Sequence, residues 1–439
     1  VTKRTLHLNL LFNNAGNFSS AWRTPESDPK AFLDIAYYVR IAQLAEKGMF
    51  DAIFLSDILA LTAGYPYRPF QSLEPTVILT SIAAATRHIG LLATASTSYN
   101  EVFNIARRFA SLDHVSGGRA GINLVTTSDP GAPANFGGTA SLPHADRYRR
   151  AQEFSKVLNA LWDSWEEGAF VGDQSTGTLL DPSRIHSINH EGEFLSVKGP
   201  LTVPRTPQGR PIIAQAGGSD DGRNMAAQHA DLVFTAAGSI DEAKAYAVDV
   251  RGRAEAHGRT PSDILILPGL VTVIGSTEEE AKRRLEELTE LSSIDYNLGR
   301  LATILRVDKA KLVLDERLPL DLEVPVDGTH TAFNSLVSFA RNNDLTVREL
   351  IKAKGGSVSM HRMIVGTPEQ VADSIEEWFL SGAVDGFNIA PDVIASGLPA
   401  FVDHVVPELQ RRGIFRTAYE GTTLRDRLGL RTPVSQFAQ

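Results

Sequence analysis

Short apolar runs alternate with amphipathic stretches along most of this chain. Strand-like runs fall at Leu6–Phe12, Ala52–Ser56, Gly90–Thr94, Ala120–Val125, Pro211–Gln215, Leu232–Phe234, Leu265–Ile274 and Gly386–Ile389, lengths that favour strands over helices. Between them, apolar positions recur at helical spacing over Pro29–Lys47, Glu74–Thr86, Val102–Val115, Asp146–Trp165, Gly222–His229 and Ser239–His257. Eight strands alternating with helices predict an α/β fold, a (β/α)8 TIM barrel of parallel strands. No Gly-x-Gly-x-x-Gly follows the first run, which counts against a doubly wound dinucleotide fold.

Two segments break the alternation. Ala169–Pro207 is rich in Gly, Pro, Asp and Ser, with a short strand pair around His186–Val197. Leu285–Arg362 mixes helical patterns with a Pro-rich stretch. Long insertions in a barrel are expected to follow a strand and to cover the C-terminal face, where active sites lie. Residues 1–439 therefore read as one domain with insertions at about 169–207 and 285–362, and the tail after Leu430 reads as a surface extension.

Composition narrows the function classes. The chain has 439 residues, a net charge of −9 and no cysteine. The acidic balance argues against a general affinity for nucleic acid or anionic membranes. Without thiols there are no disulfides, thiolate nucleophiles or Cys-ligated metal centres. His7 and Asn9 interrupt the first apolar run, which suits a strand rather than a secretory leader. No stretch reaches membrane-spanning length, and a cytoplasmic location is expected.

Functional groups of a barrel collect just beyond the C-terminal ends of its strands. There the chain offers Ser56-Asp57, Thr94 to Asn100, Asn123 to Asp129, and the turn Gln215-Ala216-Gly217-Gly218-Ser219-Asp220-Asp221. Most of these are small, neutral hydrogen-bonding residues, and neither a nucleophile–base pair nor a metal cluster is evident. The glycine–serine turn at a strand-to-helix junction aims backbone N–H groups and a positive helix end at one spot, as a phosphate requires. An ordinary turn capped by Ser219 or Asp220 is the alternative. Gly217 and Gly218 would permit close backbone approach and positive φ. His144 and Tyr148, four residues apart, share a helix face, either as donors to one ligand or as a solvated polar face. Asp57 is a strand-end cap or a ligand contact. Trp22 and Arg23, after the first strand, could hold a planar or anionic substrate or pin their loop to the barrel wall.

Taken in order, several motifs resemble the flavin-dependent monooxygenases of the nitrilotriacetate monooxygenase component A type, within the bacterial-luciferase-like superfamily. They are Ala21-Trp22-Arg23 with Pro25 to Pro29, Phe50 to Asp57, Thr94 to Thr97, Ala106 to Arg119, the His144/Tyr148 pair, Gln215-Ala216-Gly217, Val365 to Ala372, and Asp385-Gly386-Phe387. The resemblance implies a luciferase-type barrel that binds FMN as FMNH2, supplied by a separate NAD(P)H:flavin reductase, and a homodimer. It implies oxygenation of a small organic molecule by O2 at a C–S or C–N centre, through a peroxide at flavin carbon 4a. By matched position, Asp57, Thr94, His144, Tyr148, Gly217, Gly218 and Ser219 would bind the flavin, with the turn on its phosphate and Asp57 and Thr94 nearer its rings. Phe18, Trp22, Arg23 and Tyr99 would shape the substrate pocket, and no metal is implied. Two departures stand out. Asn17-Phe18 replaces the adjacent histidines of several sulfone-oxidising relatives, and Asp220 and Asp221 make the turn acidic, which suits a phosphate only if they face away. A deazaflavin-dependent oxidoreductase doing hydride transfer, or a non-catalytic flavin carrier, would share the fold.

Overall fold

The structure, a computed structural model, describes residues 4–61, 65–70, 73–138, 140–323, 330–353 and 361–438. Its parallel strands are β1 (His7–Phe12), β2 (Ala52–Leu55), β3 (Gly90–Ser96), β4 (Ala120–Val125), β5 (Ile212–Ala216), β6 (Leu232–Thr235), β7 (Leu265–Ile274), β8 (Arg362–Gly366) and β9 (Gly386–Pro391). All but β8 form a closed eight-stranded barrel in the order β6-β5-β4-β3-β2-β1-β9-β7, with β7 returning to β6. Asn9 lies opposite both Ala52 and Asn388, and Leu232 lies opposite Leu265. All eight strand runs expected from the sequence are present, within two residues of their anticipated ends.

The ninth strand was not anticipated, and the length of β7 accounts for it. Pairing with β6 ends at Thr235 and Pro268, leaving the edge of Leu270–Ile274 open; β8 covers that edge from Arg362 to Gly366. An unpaired edge would leave buried amides without partners. The stretch expected as one helix from Pro29 is broken for a similarly local reason. A 3-10 turn, Ala31–Leu33, precedes α1 (Ile35–Lys47), which starts at Asp34 because that carboxylate accepts from Ala36 N–H at 2.9 Å. Two further helices matter to the site: α2 (His144–Asp163), which follows β4, and α3 (Asp220–His229), which follows β5.

Side-chain parity divides the core. Leu8, Leu10 and Phe12 of β1 pack outward under the helices, with Phe109, Phe154 and Trp162 in the same outer layer. Leu11, Ala52, Phe54, Leu92, Ala214, Leu232, Leu267, Val271 and Ala390 point inward. Across the barrel axis, Phe54 meets Phe234 edge to face, with ring centroids 5.6 Å apart, so the interior is filled rather than hollow.

The two insertions go to different places. The first leaves the far end of α2 rather than a strand. Trp165 Nε1 donates to Leu201 O at 2.7 Å, and Glu153 and Arg149 of α2 bond His190 and Glu193 at 2.9 and 2.7 Å. Ala169–Pro207 therefore lies along the outer flank of α2 and not over the barrel mouth, because it departs from the N-terminal end of the barrel. Its expected strand pair is present as His190–Glu191 with Ser196–Val197. The second insertion meets the loop after β1, through Ser19 Oγ and Ser292 Oγ at 2.7 Å. It also builds a small core of its own from Leu301, Leu305, Phe333, Leu336 and Leu350. The tail, a largely exposed extension as expected, is pinned near its end. Ser435 Oγ donates to Asp163 O at 2.9 Å and Gln436 N–H to the fully buried Asp163 carboxylate at 3.1 Å, beside Arg205 and Arg210. A buried carboxylate needs such donors, and the tail supplies one. Among the described residues no helix is long and apolar enough to cross a membrane.

At the N-terminal end of the barrel, Asp51 is fully buried between His7 (3.1 Å) and Arg416 and accepts from Leu8 N–H at 2.7 Å. Burial would raise its pKa, but the charges of Arg416 and His7 outweigh burial and hold it below the usual value. An acid with a depressed folded pKa adds stability above its unfolded value and loses it as pH falls through the folded one. Arg416→Met is therefore expected to cost about 3–5 kcal/mol near neutral pH. Urea unfolding should show the deficit shrinking toward about pH 3, below the unfolded carboxylate value, where Asp51 is protonated more in the variant than in the parent. A deficit independent of pH would contradict this.

Candidate active site

Four of the expected residues come into contact at the junction of β5 and α3. Ser219 is the N-cap of α3, where its Oγ accepts from Gly222 N–H at 3.1 Å and donates to Tyr148 Oη at 3.4 Å. Tyr148 and His144 occupy the first turns of α2, with rings 4.8 Å apart. Gly217 lies against Gly222: a Cβ on Gly222 would fall 3.1 Å from Gly217 Cα and 3.2 Å from both Ser219 Oγ and Tyr148 Oη. Neither Gly217 nor Gly218 has positive φ. The tolerance of positive φ that the sequence offered is thus not used; at Gly217, glycine serves for close packing of strand end on helix start. Tyr246, unnoticed in the sequence, donates to Gly217 O at 2.8 Å, and burial raises its phenol to about 12, so it stays a donor.

The two aspartates of the turn are disposed of locally. Asp220 is three-quarters exposed and paired with Arg253 at 2.6 Å, while Asp221 Oδ2 lies 3.4 Å from His144 Nδ1. Their charge is directed to these partners and away from the α3 amides, where the positive helix end persists.

Thr94 and Asp57 lie on the same rim but not in that cluster. Thr94 points inward from β3, and its Oγ1 accepts from Asn123 Nδ2 at 3.0 Å. The buried Oδ1 of Asn123 has no partner among the described residues. Whichever way that amide is turned, one end remains unpaired toward the interior. Asn123 had appeared only as part of a rim stretch; its signal was a polar residue at an inward position of an apolar strand. Asp57 follows β2, accepts from Ile58 N–H at 2.9 Å, and is raised above the usual carboxylate value by burial and by Glu74. Below this level Phe54 and Phe234 form the floor. His361 joins them, its ring 5.1 Å from that of Phe234 and so near inward-facing Gly269 that a Cβ there would fall 2.4 Å from Nδ1. Burial draws that imidazole down to about 4, so it is neutral at pH 7.

The expected substrate residues divide. Phe18 is buried with the inward-facing cluster, and Tyr99 stacks on Phe136 with centroids 4.9 Å apart. Trp22 and Arg23 pin their loop: Trp22 Nε1 donates to Tyr67 O at 2.9 Å, and Arg23 donates to Leu291 O. Beside them, and missed in the sequence, Arg68 and Arg300 converge on Tyr296 Oη at 3.4 and 3.1 Å. Burial alone would raise that phenol, but the two cations hold it below its usual value.

A family model described as luciferase-like monooxygenase matches residues 14–385. The chain is 42% identical to N-acetyl-S-(2-succino)cysteine monooxygenase of Bacillus subtilis (strain 168), over 100% of this chain and 99% of that one. It is 42% identical to nitrilotriacetate monooxygenase component A of Aminobacter aminovorans, over 99% of each. Among solved structures it is similar to a riboflavin lyase determined with modified FMN and riboflavin: TM-score 0.87, 30% identity, 98% of this chain and 97% of that chain covered.

The packing of the turn can be tested without any ligand. Gly222→Ala is expected to lower stability by about 1–3 kcal/mol, because the new methyl meets the Gly217 backbone together with Ser219 Oγ and Tyr148 Oη. Gly252→Ala, where a Cβ meets nothing within 4 Å, is expected to be neutral or to stabilise by up to about 1 kcal/mol. Calorimetric melting of both variants checks the contrast.

Proposed function

The chain belongs to the luciferase-like monooxygenase family, and we propose that it oxygenates a small organic molecule at a C–S or C–N centre using O2 and reduced FMN. The observation that carries the reading is the Gly217–Gly222 cradle with Ser219, Tyr148 and His144 gathered around the N-terminal end of α3. One oxygen atom goes to the substrate and the other leaves as water, with both electrons coming from the reduced flavin.

The residues fit such a cofactor in three respects. The close approach at Gly217 and Gly222 leaves the Gly217–Ser219 backbone room to receive a phosphate, with the α3 dipole behind it. The unpaired Oδ1 of Asn123, beside Thr94, offers a hydrogen bond to a polar ring edge. The Phe54–Phe234 floor and the second insertion keep water from the reacting region. Ser219 and the turn would hold the phosphate, His144 and Tyr148 would flank the ribityl side, and Thr94, Asn123 and Asp57 would stand nearer the rings. We read the electron supply as a separate NAD(P)H:flavin reductase, and the working form as a cytoplasmic homodimer.

Anaerobic titration with reduced FMN is expected to give a saturable fluorescence change, and admission of O2 with substrate an oxygenated product. Absence of saturation would overturn the reading. Ser219→Asp sets a carboxylate against the phosphate and is expected to weaken reduced FMN at least about 100-fold, from a repulsion of about 3 kcal/mol or more at partly buried distances. Unchanged affinity in the same titration would remove the turn from the site.

A further inference from the structure

We propose that the end of the barrel remote from the mouth carries a second binding site, which takes a small organic phosphate among Arg210, Arg259, Arg425 and Arg431. A cavity of about 520 Å³ opens there, lined also by His229, Asp231 and Asp263. Its place follows from the order of the elements. Arg210 precedes β5, Asp231 precedes β6 and Asp263 precedes β7, so the cavity lies at the N-terminal ends of these strands. His229 is the last residue of α3, and Ser219 caps the first turn of the same helix. Ten residues of helix, about 15 Å, separate the two places. The C-terminal end of a helix repels anions, but Arg259 closes this one by donating to Ala227 O at 3.0 Å and Ala230 O at 2.6 Å.

The charges around this cavity do not balance. Asp231 is matched by Arg425 at 3.1 Å and Asp263 by Arg431 at 2.8 Å, while Arg210 shares the buried Asp163 with Arg205. Arg259 ends on carbonyls alone. Five guanidiniums thus face three carboxylates, in a chain whose net charge is −9. Burial, helped by the charges of Arg425 and Arg431 and opposed by Asp231 and Asp263, draws the Arg259 guanidinium below its usual value. The two lining carboxylates are further engaged by backbone: Asp231 accepts from Ile213 N–H at 2.9 Å and Asp263 from Thr260 N–H at 2.8 Å.

Donors remain for a ligand. Nη1 of Arg210 and of Arg431 has no partner among the described residues, because Nε and Nη2 take up Asp163 and Asp263. The His229 ring has none there either. Burial and the charges of Arg259, His257 and Arg210 bring that imidazole to about 4, so at pH 7 it is neutral and keeps one N–H to donate. Asn159 of α2 also lines the cavity, and its buried Oδ1 lacks a partner; turned over, the amide offers N–H groups instead. These donors come from four separate chain segments, a dispersed set that suits a tetrahedral phosphate better than a flat carboxylate. The volume exceeds the needs of bare phosphate and falls in the range of small-molecule clefts. Leu430, Pro433 and Val434 give an organic body an apolar wall.

Calorimetry on the full chain tests this at low salt, where charge contacts are least screened. The probe is phenyl phosphate, compared with phenyl sulfate, dimethyl phenyl phosphate and inorganic phosphate. Phenyl phosphate is expected to bind at least about 10-fold more tightly than any of the three. Arg431 and Val434 are exposed, so their substitution spares the core. Arg431→Met and Val434→Asp are each expected to weaken the probe about 10-fold or more, while Arg431→Lys keeps part of the affinity. Ser219→Asp, which alters the turn at the mouth, should leave this binding unchanged, and melting curves identify any variant that has unfolded. Loss of the phenyl phosphate isotherm in Ser219→Asp alone would assign the probe to the mouth and overturn the proposal. Equal binding of phenyl sulfate, of the neutral ester or of bare phosphate would do the same, as would unaltered affinity in both exposed variants or no saturable heat at all.

Discussion

Everything at the mouth depends on the backbone ladder that joins β9 to β1 and closes the cylinder. With Asn9 opposite Ala52 on one side and Asn388 on the other, parity is set for every strand. Phe54 and Phe234 must then point inward from strands on opposite sides of the barrel, and they meet. Thr94 and Asn123 must also point inward, one level nearer the rim. A slip of one residue in β1 would turn Leu8, Leu10 and Phe12 into the barrel and expel Asn9. The outer layer under the helices, where those three now pack, makes such a slip prohibitive.

Electrostatics follow from the same frame. A chain with nine excess negative charges is an unpromising host for a phosphate, and two aspartates directly after Ser219 make it look worse. Each of the two has a partner of its own, Asp220 with Arg253 and Asp221 beside His144. The amides of the first turn of α3 keep their positive end. Two deep carboxylates are likewise matched by cations, Asp51 by Arg416 and Asp163 by Arg205 and Arg210.

How much of this was legible in the sequence depended on the range of the interaction. The eight barrel strands and the helices between them are written in local periodicity and were placed within a few residues. So was the turn at Ser219, because N-capping and glycine packing act over three or four positions. What escaped was decided by distant partners. β8 exists because β7 outlasts β6, and the first insertion sits on the flank of α2 because of the end from which it leaves. The C-terminal tail is held by a carboxylate buried far upstream. Asp34 shows the opposite case: its capping signal was local and readable, and it was overlooked in favour of Pro29. Arg68, Arg300 and Tyr296 lie in segments without periodicity, and only the fold brings them together.

The rim carries few groups suited to moving protons. His361 is held neutral by its surroundings, and Asp57 accepts from Ile58 N–H. On the proposed flavin reading, rate enhancement would come less from acid–base side chains than from placing a substrate bond against the cofactor in a dry enclosure. Placement then falls to the loops. Those after β1 and β2 and the start of the second insertion are interlocked through Trp22 with Tyr67, Ser19 with Ser292, and Arg68 with Tyr296. A change in any one of these segments moves the others. The loops after β1 and β2 and the start of the second insertion thus form one interlocked part of the rim, across the barrel from the β5 turn.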